Sequence, residues 1–181
     1  MRRTIAFPLV ALAAALVACG STKPASESDA EKLEAKTQAA VKRFKDQDST
    51  ISKWFETAYG YAVFPSVAKA GLVVGGAGGR GQVYEQGEHV GYTTLSQGTF
   101  GLQAGAQEYS EIIFFKDKWA LNAFKEGNFE FSAQASAVAI EQGSAAKADY
   151  SGGVAVFTCV AGGLMAEASI GGQKFSYEPK S

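Results

Sequence analysis

The sequence predicts an α+β fold: two N-terminal helices, then a largely antiparallel, strongly bent or barrel-like sheet with one inserted helix. Two observations predict it. Apolar residues recur at helical spacing before Gly60 and mostly in alternation or short runs after it. The chain also holds 21 glycines, which favour turns, bulges and close backbone approach and so suit a bending sheet better than a helical bundle. A length of 181 residues suits one domain with its own core.

Taken in order, Ser21 to Ser28 is polar, contains Pro24 and has no hydrophobic period, so residues 19–29 read as a flexible tether. The domain proper is placed at 30–181. Leu33, Ala40, Val41 and Phe44 recur at helical spacing, with Glu31 and Glu34 early and Lys42, Arg43 and Lys45 late, a polarity that suits the helix dipole. Asp46 to Ser49 reads as a break, and Ile51, Trp54, Phe55 and Ala58 share one face of a short second helix. Tyr61 to Phe64 predicts a strand halted by Pro65. Leu72 to Gly75 and Gln82 to Glu85 read as strand pieces separated by the glycines of residues 75 to 81, with a turn at Gln86-Gly87-Glu88. Alternation from Thr99 to Gln107 predicts one strand, Ile112 to Phe115 a short buried run, and Asp117 caps a helix with Ala120, Leu121 and Phe124 inward and Gly127 as its stop. Phe129 to Ala139 alternates as a strand, Gln142 to Tyr150 is a loop, Val154 to Cys159 pairs with Leu164 to Ile170, and Lys174 to Tyr177 ends the sheet.

Residues 1–18 read as a processing signal: Arg2 and Arg3, then an apolar stretch from Ile5 to Val17 too short to span a bilayer, which needs roughly 20 residues. It ends in Leu16-Val17-Ala18-Cys19, which resembles the lipobox of bacterial lipoproteins, with Cys19 as the acylated residue. Several acyl chains hold a protein stably where one binds marginally. Gly20, rather than an aspartate, follows the cysteine. By resemblance to Gram-negative lipoproteins the chain is expected at the outer membrane, lipid-anchored and facing the periplasm.

Seventeen basic against 18 acidic side chains create no field that argues for nucleic acid. Without residues 1–18 the balance is 15 to 18, a net of −3. Cys159 then has no partner but the anchor and reads as a buried structural thiol. Residues 76–81 match G-x-G-x-x-G, but Gln82 to Glu85 after them reads as strand and not as the helix that would hold a pyrophosphate, so a bent glycine-rich hairpin is expected instead. His89 stands alone beside a turn, no metal-ligand spacing occurs, and no G-x-S-x-G elbow is present. Glu108 and Glu111 read as decoration of a strand end. The chain is therefore expected to be no enzyme, with no metal and no cofactor. Lys42, Arg43, Lys45 and Lys53 flank Phe44, Trp54 and Phe55, which suits either a helix lying among headgroups or a helix covering the sheet; seven acids between Glu27 and Glu56 balance seven bases from Lys23 to Lys53.

Four segments together, Gly60-Tyr61-Ala62-Val63-Phe64-Pro65, residues 69–76 (Lys69 to Gly76), residues 101–105 and residues 162–166, resemble the SYLF domain, a lipid-binding module, in an ordered set covering most of residues 30 to 178. Glu167 stands where many members carry a small residue. The resemblance implies binding of membrane phospholipid, with anionic headgroups favoured, and points to Lys69 in the matching motif as a headgroup base. Arg80 beside the glycines is a second: a cation among small residues lets phosphate reach both side chain and backbone N–H. Lys42, Arg43, Lys45, Lys53 and Trp54 complete the expected lipid-binding set. The rival expectation is a structural or protein-interaction domain with no lipid ligand of its own.

Overall fold

The computed structural model describes residues 21–71, 74–100, 105–127, 129, 136–160 and 168–180. Helix α1 (Glu27–Gln47) begins where the Ser26 side chain accepts from the Asp29 N–H, with Glu27 and Asp29 in the first turn and Lys45 in the last. Leu33, Thr37, Ala40 and Phe44 form its buried stripe. Asp48 ends it and opens the next turn: its N–H reaches the Phe44 carbonyl, and its carboxylate accepts from the Thr50 N–H of a single 3-10 turn, Ser49–Ile51. Helix α2 (Ser52–Thr57) follows directly.

The sheet contains β1 (Gly60–Gly71), β2 (Val74–Glu85), β3 (Glu88–Phe100), β4 (Gly105–Phe115), β5 (Ser136–Ala139), β6 (Val154–Val160), β7 (Ala168–Ser169) and β8 (Gln173–Pro179), with α3 (Lys118–Lys125) inserted after β4. The strand order is β7-β5-β6-β4-β1-β2-β3-β8, seven strands in one ladder system with β7 added beside β5. Every pairing is antiparallel except β5 with β6. The α+β class, the two N-terminal helices and the inserted helix are as expected. No ladder joins β7 to β8 among the described residues, so the sheet is bent but not closed.

The bend is steep. Glu111 on β4 and Gln173 on β8 stand four strands apart in the order, roughly 19 Å on a flat sheet at the usual strand spacing, yet their side chains meet at 3.0 Å. Phe64 on β1 and Phe175 on β8 likewise bring their rings to 5.8 Å. The inner face closes around Phe64, Val67, Val83, Leu95, Ile113, Phe115 and Phe175, with Leu121 and Phe124 of α3 packed into it. The outer face carries Val63, Ile112, Phe114 and Phe157, covered by Ala40 and Phe44 of α1 and by Ile51. The core thus spans Leu33 to Phe175.

Four sequence expectations change. Strand β1 runs through Pro65, because the register shifts between Val63 and Val67 against β2 and between Phe64 and Val67 against β4, and the missing N–H falls in that irregularity. Strand β2 is continuous through the glycines of residues 75 to 81. Gly79 and Gly81 are needed there: a Cβ on Gly79 would lie 2.7 Å from the Ser66 carbonyl oxygen, and one on Gly81 would run into the Val63 carbonyl oxygen and lie 2.8 Å from the Phe64 ring. The alternating run of residues 99–107 is not one strand but the end of β3 and the start of β4, with residues 101–104 outside the described residues. Ala168 and Ser169 pair with β5 rather than with β6, whose neighbours are β4 and β5; residues 161–167 lie outside the described residues, as do residues 130–135 of the expected Phe129 to Ala139 strand. Residues 1–18 and Cys19 are also outside them. Part of the segment read as a tether is docked: the Ser21 hydroxyl and the Lys23 N–H donate to the Glu178 carboxylate, and Thr22 is buried.

Candidate functional site

The bases singled out in the sequence occupy three separate places. Lys69 pairs across β1 with Ala77 of β2, whose methyl is buried on the inner face, so Lys69 is half-buried on that face. Arg80 belongs to the opposite, outer face, exposed, with its guanidinium donating to the Ser21 carbonyl. Lys42, Arg43 and Lys45 lie near the C-terminal end of α1, and Lys53 lies on α2. Lys42 pairs with Asp46 at 2.5 Å, and Arg43 donates to the Ser110 hydroxyl of β4 at 3.1 Å. Lys45 sits 4.8 Å above the Phe55 ring. Among the described residues Arg43, Lys45, Lys53, Lys69 and Arg80 have no carboxylate within ion-pair distance.

Trp54 belongs to the packing of the outer face. Its indole N–H donates to the Ala145 carbonyl at 2.9 Å, and its ring meets Phe114, Tyr150 and Phe157 at centroid distances of 4.8 to 5.7 Å. Of the two settings the sequence allowed for this segment, the aromatic side chains take the one against the sheet.

Beside these bases, the sheet and α1 leave a groove of about 500 Å³ that the sequence reading did not single out. Tyr61 and Tyr84 form its floor, stacked at 4.9 Å with their rings 16° apart, because they are direct partners in the β1–β2 ladder. Glu34, Thr37, Lys42, Lys45 and Asp46 of α1 line its wall. The Thr37 hydroxyl, on a residue 1% exposed, has no hydrogen-bond partner among the described residues. Burial, then Tyr61 and Glu34 nearby, push the Tyr84 phenol up to about 12, so it stays neutral at physiological pH. The aromatic row continues from Phe55 and Phe114 through Tyr61 and Tyr84 to His89 and Tyr92. His89, which the sequence placed alone beside a turn, is half-buried between two tyrosines, and burial followed by nearby Lys180 lowers its pKa, opposed by its bond to the Gly91 carbonyl. The signal that could have found the groove was the tyrosine in each of two predicted strand pieces, Tyr61 to Phe64 and Gln82 to Glu85.

Glu108 and Glu111 do not form a pair. Glu108 is exposed and accepts from the Ser66 hydroxyl, whereas Glu111 is fully buried on the other face, accepting from the Gln173 amide. Burial raises the Glu111 carboxyl to about 7, opposed only by that bond. Its second oxygen, the Gln173 amide oxygen and the Thr158 hydroxyl have no partner among the described residues. Cys159 is buried as expected, its thiol donating to Gln47 and its pKa raised by burial, with Arg43 opposing. No group of three metal-ligating side chains occurs among the described residues, and no described helix is long and apolar enough to cross a membrane.

Residues 96–180 match the family model Ysc84, described as Las17-binding protein actin regulator. The chain is also 30% identical over 139 residues to Beta cell expansion factor A of Aeromonas veronii, a match covering 76% of this chain and 52% of that relative. It therefore spans about half the length of this curated relative. The groove and all the bases singled out above precede residue 96, outside the family match.

Proposed function

Because the chain belongs to the Ysc84, or SYLF, family, we propose that it is a membrane-anchored lipoprotein whose domain binds phospholipid and performs no catalysis. Acyl chains on Cys19 hold it to the outer membrane, facing the periplasm; the layout of residues 1–19 supports that address. The observation that carries the binding reading is the groove under α1. Its tyrosine floor offers apolar contact, Lys45 offers charge to a phosphate at its wall while Lys42 there is held by Asp46, and Lys53 on the adjoining α2 has no carboxylate partner among the described residues. Anionic headgroups are favoured because the phosphate and any further negative charge meet the ammonium groups of Lys45 and Lys53, which have no carboxylate partner among the described residues. Arg80 and Lys69 supply separate contacts on opposite faces of the sheet, so one headgroup does not engage both.

The test is co-sedimentation of residues 21–181, free of Cys19 but keeping the docked Ser21 to Lys23, with neutral and anionic vesicles at two salt concentrations. Anionic-selective binding falls with salt, and Lys45→Ala with Lys53→Ala lowers it by roughly tenfold or more, at about 1 kcal/mol per base near the surface. Arg80→Ala and Lys69→Ala produce smaller losses. Binding indifferent to salt and to all four substitutions would instead favour the rival reading, a structural or protein-interaction domain that the anchor merely localises.

A further inference from the structure

Helix α3 presents a tryptophan to solvent. Ala120, Leu121 and Phe124 turn into the inner core, while Trp119 is 76% exposed, the one large hydrophobic side chain left exposed among the described residues. A tryptophan in water leaves one of the largest apolar surfaces of any side chain uncovered. Lys116 and Lys118 flank it, both exposed and neither in an ion pair among the described residues. Asp117 between them is occupied as the helix cap, its carboxylate accepting from the Ala120 N–H. Two ammonium groups against the one Asp117 carboxylate leave the local charge beside the indole net positive.

The position of this side chain ties it to the groove. Gly60 at the start of β1 pairs with Phe115 at the end of β4, and α2 leads into the first while α3 follows the second. The Tyr59 N–H, just before β1, donates to the Phe115 carbonyl at 3.0 Å. Both helices therefore hang from the same end of the sheet. The Tyr61–Tyr84 pair flooring the groove is one ladder step from that end, beside Gly60 and Glu85. An indole flanked by ammonium groups has the chemistry of a membrane-interface anchor, with its ring among headgroups and acyl carbonyls and its cations near lipid phosphates.

The geometry points to this end of the sheet as the face that meets the bilayer, with Trp119 inserted into the interface and Lys116 and Lys118 on anionic headgroups. This rests on the phospholipid-binding reading and adds the orientation: the tyrosine floor of the groove lies at the end that faces the lipid surface. Lys53 on α2 joins the same contact from the outer side. Lipid-anchored or not, the domain approaches the membrane end-on, through both helices, and not through a flat face of the sheet.

The experiment uses the full acylated chain reconstituted into vesicles of neutral phospholipid with and without anionic phospholipid. Trp54→Phe leaves Trp119 as the only fluorophore of its kind, since the chain has two tryptophans. The expected result is a blue-shifted emission and quenching of Trp119 by bromine-labelled lipid, strongest for labels near the headgroup and stronger in anionic vesicles. In the acyl-free chain, Trp119→Ala and the pair Lys116→Ala with Lys118→Ala each lower vesicle partition, the pair by roughly tenfold or more at the usual contribution of a surface base. Because Trp119 is exposed, its substitution leaves unfolding by urea unchanged, which separates this contact from a folding defect. Unquenched, solvent-like Trp119 emission in both vesicle types overturns the inference. Vesicle binding that survives Trp119→Ala but not Lys45→Ala also overturns it, while leaving the groove reading standing. Loss of all vesicle binding by the unsubstituted acyl-free chain sinks the groove reading, whatever Trp119 reports in the anchored form.

Discussion

Replacing Glu111 by glutamine isolates the charge that the curled sheet buries. The carboxyl has its folded-state pKa raised from 4.5 to about 7, burial being the cause. Between those two values the folded chain holds a proton that the unfolded chain has released. Stability therefore falls as pH rises from 4.5 to about 7 and stays reduced above it. Each pH step of one across that window removes ~1.4 kcal/mol, so the whole reduction amounts to about 3 kcal/mol. Glutamine keeps an oxygen to accept from the Gln173 amide and adds an N–H₂ that can donate to the unpartnered Thr158 hydroxyl or Gln173 oxygen. The assay is urea unfolding of residues 21–181 and its Glu111→Gln variant from pH 4.5 to 8, because every other titrating group cancels in the difference. The two proteins are expected to unfold together near pH 4.5, and the variant to gain about 3 kcal/mol by pH 8. A constant difference across that range, or a variant weaker at pH 8, would refute the assignment of a buried, largely unsatisfied carboxyl.

Three other substitutions probe the frame around the groove. Asp48→Ala removes the acceptor of the Thr50 N–H, the Thr50 hydroxyl and the Ala145 N–H, so unfolding free energy drops by about 3 kcal/mol at pH 7. In the parent, burial works to raise the Asp48 pKa but those bonds prevail and hold it low; its contribution is present above the ordinary aspartate value of 3.8 and is lost as pH falls through the lower folded value. An acid titration of the urea midpoint checks it. Gly81→Ala forces a methyl against the Val63 carbonyl and the Phe64 ring, lowering stability by about 2 kcal/mol or more in the same urea assay. Trp54→Phe loses the bond to the Ala145 carbonyl and about 1–2 kcal/mol, yet leaves vesicle sedimentation of the folded chain unaltered, because that ring packs against Phe114 and Phe157.

Chain-local physics was legible throughout the sequence. The acids and bases of α1, the Asp117 cap and the apolar stripes of α1 and α3 are set within a few residues, and the structure has them where the periodicity put them. The strand character after G-x-G-x-x-G was equally local, and β2 continues through it as strand. What tertiary structure decided depends on residues far apart in the chain. Pro65 is tolerated inside β1 because both neighbouring strands shift register there, and Gly79 and Gly81 of β2 are places where β1 approaches rather than breaks. Tyr61 and Tyr84 are ordinary as separate strand residues; only their ladder pairing stacks them into a floor, and only α1 crossing above makes that floor a groove. Glu111 looked like an ordinary acid at a strand end, and Trp119 like any residue of a short helix. A bend that brings β4 to β8 buries the first, and packing that spends one face of α3 on Leu121 and Phe124 leaves the second in the open. Sequence periodicity tells which side of an element is apolar; which partner covers that side, and what remains uncovered, is determined by contacts whose sequence separation no local pattern records.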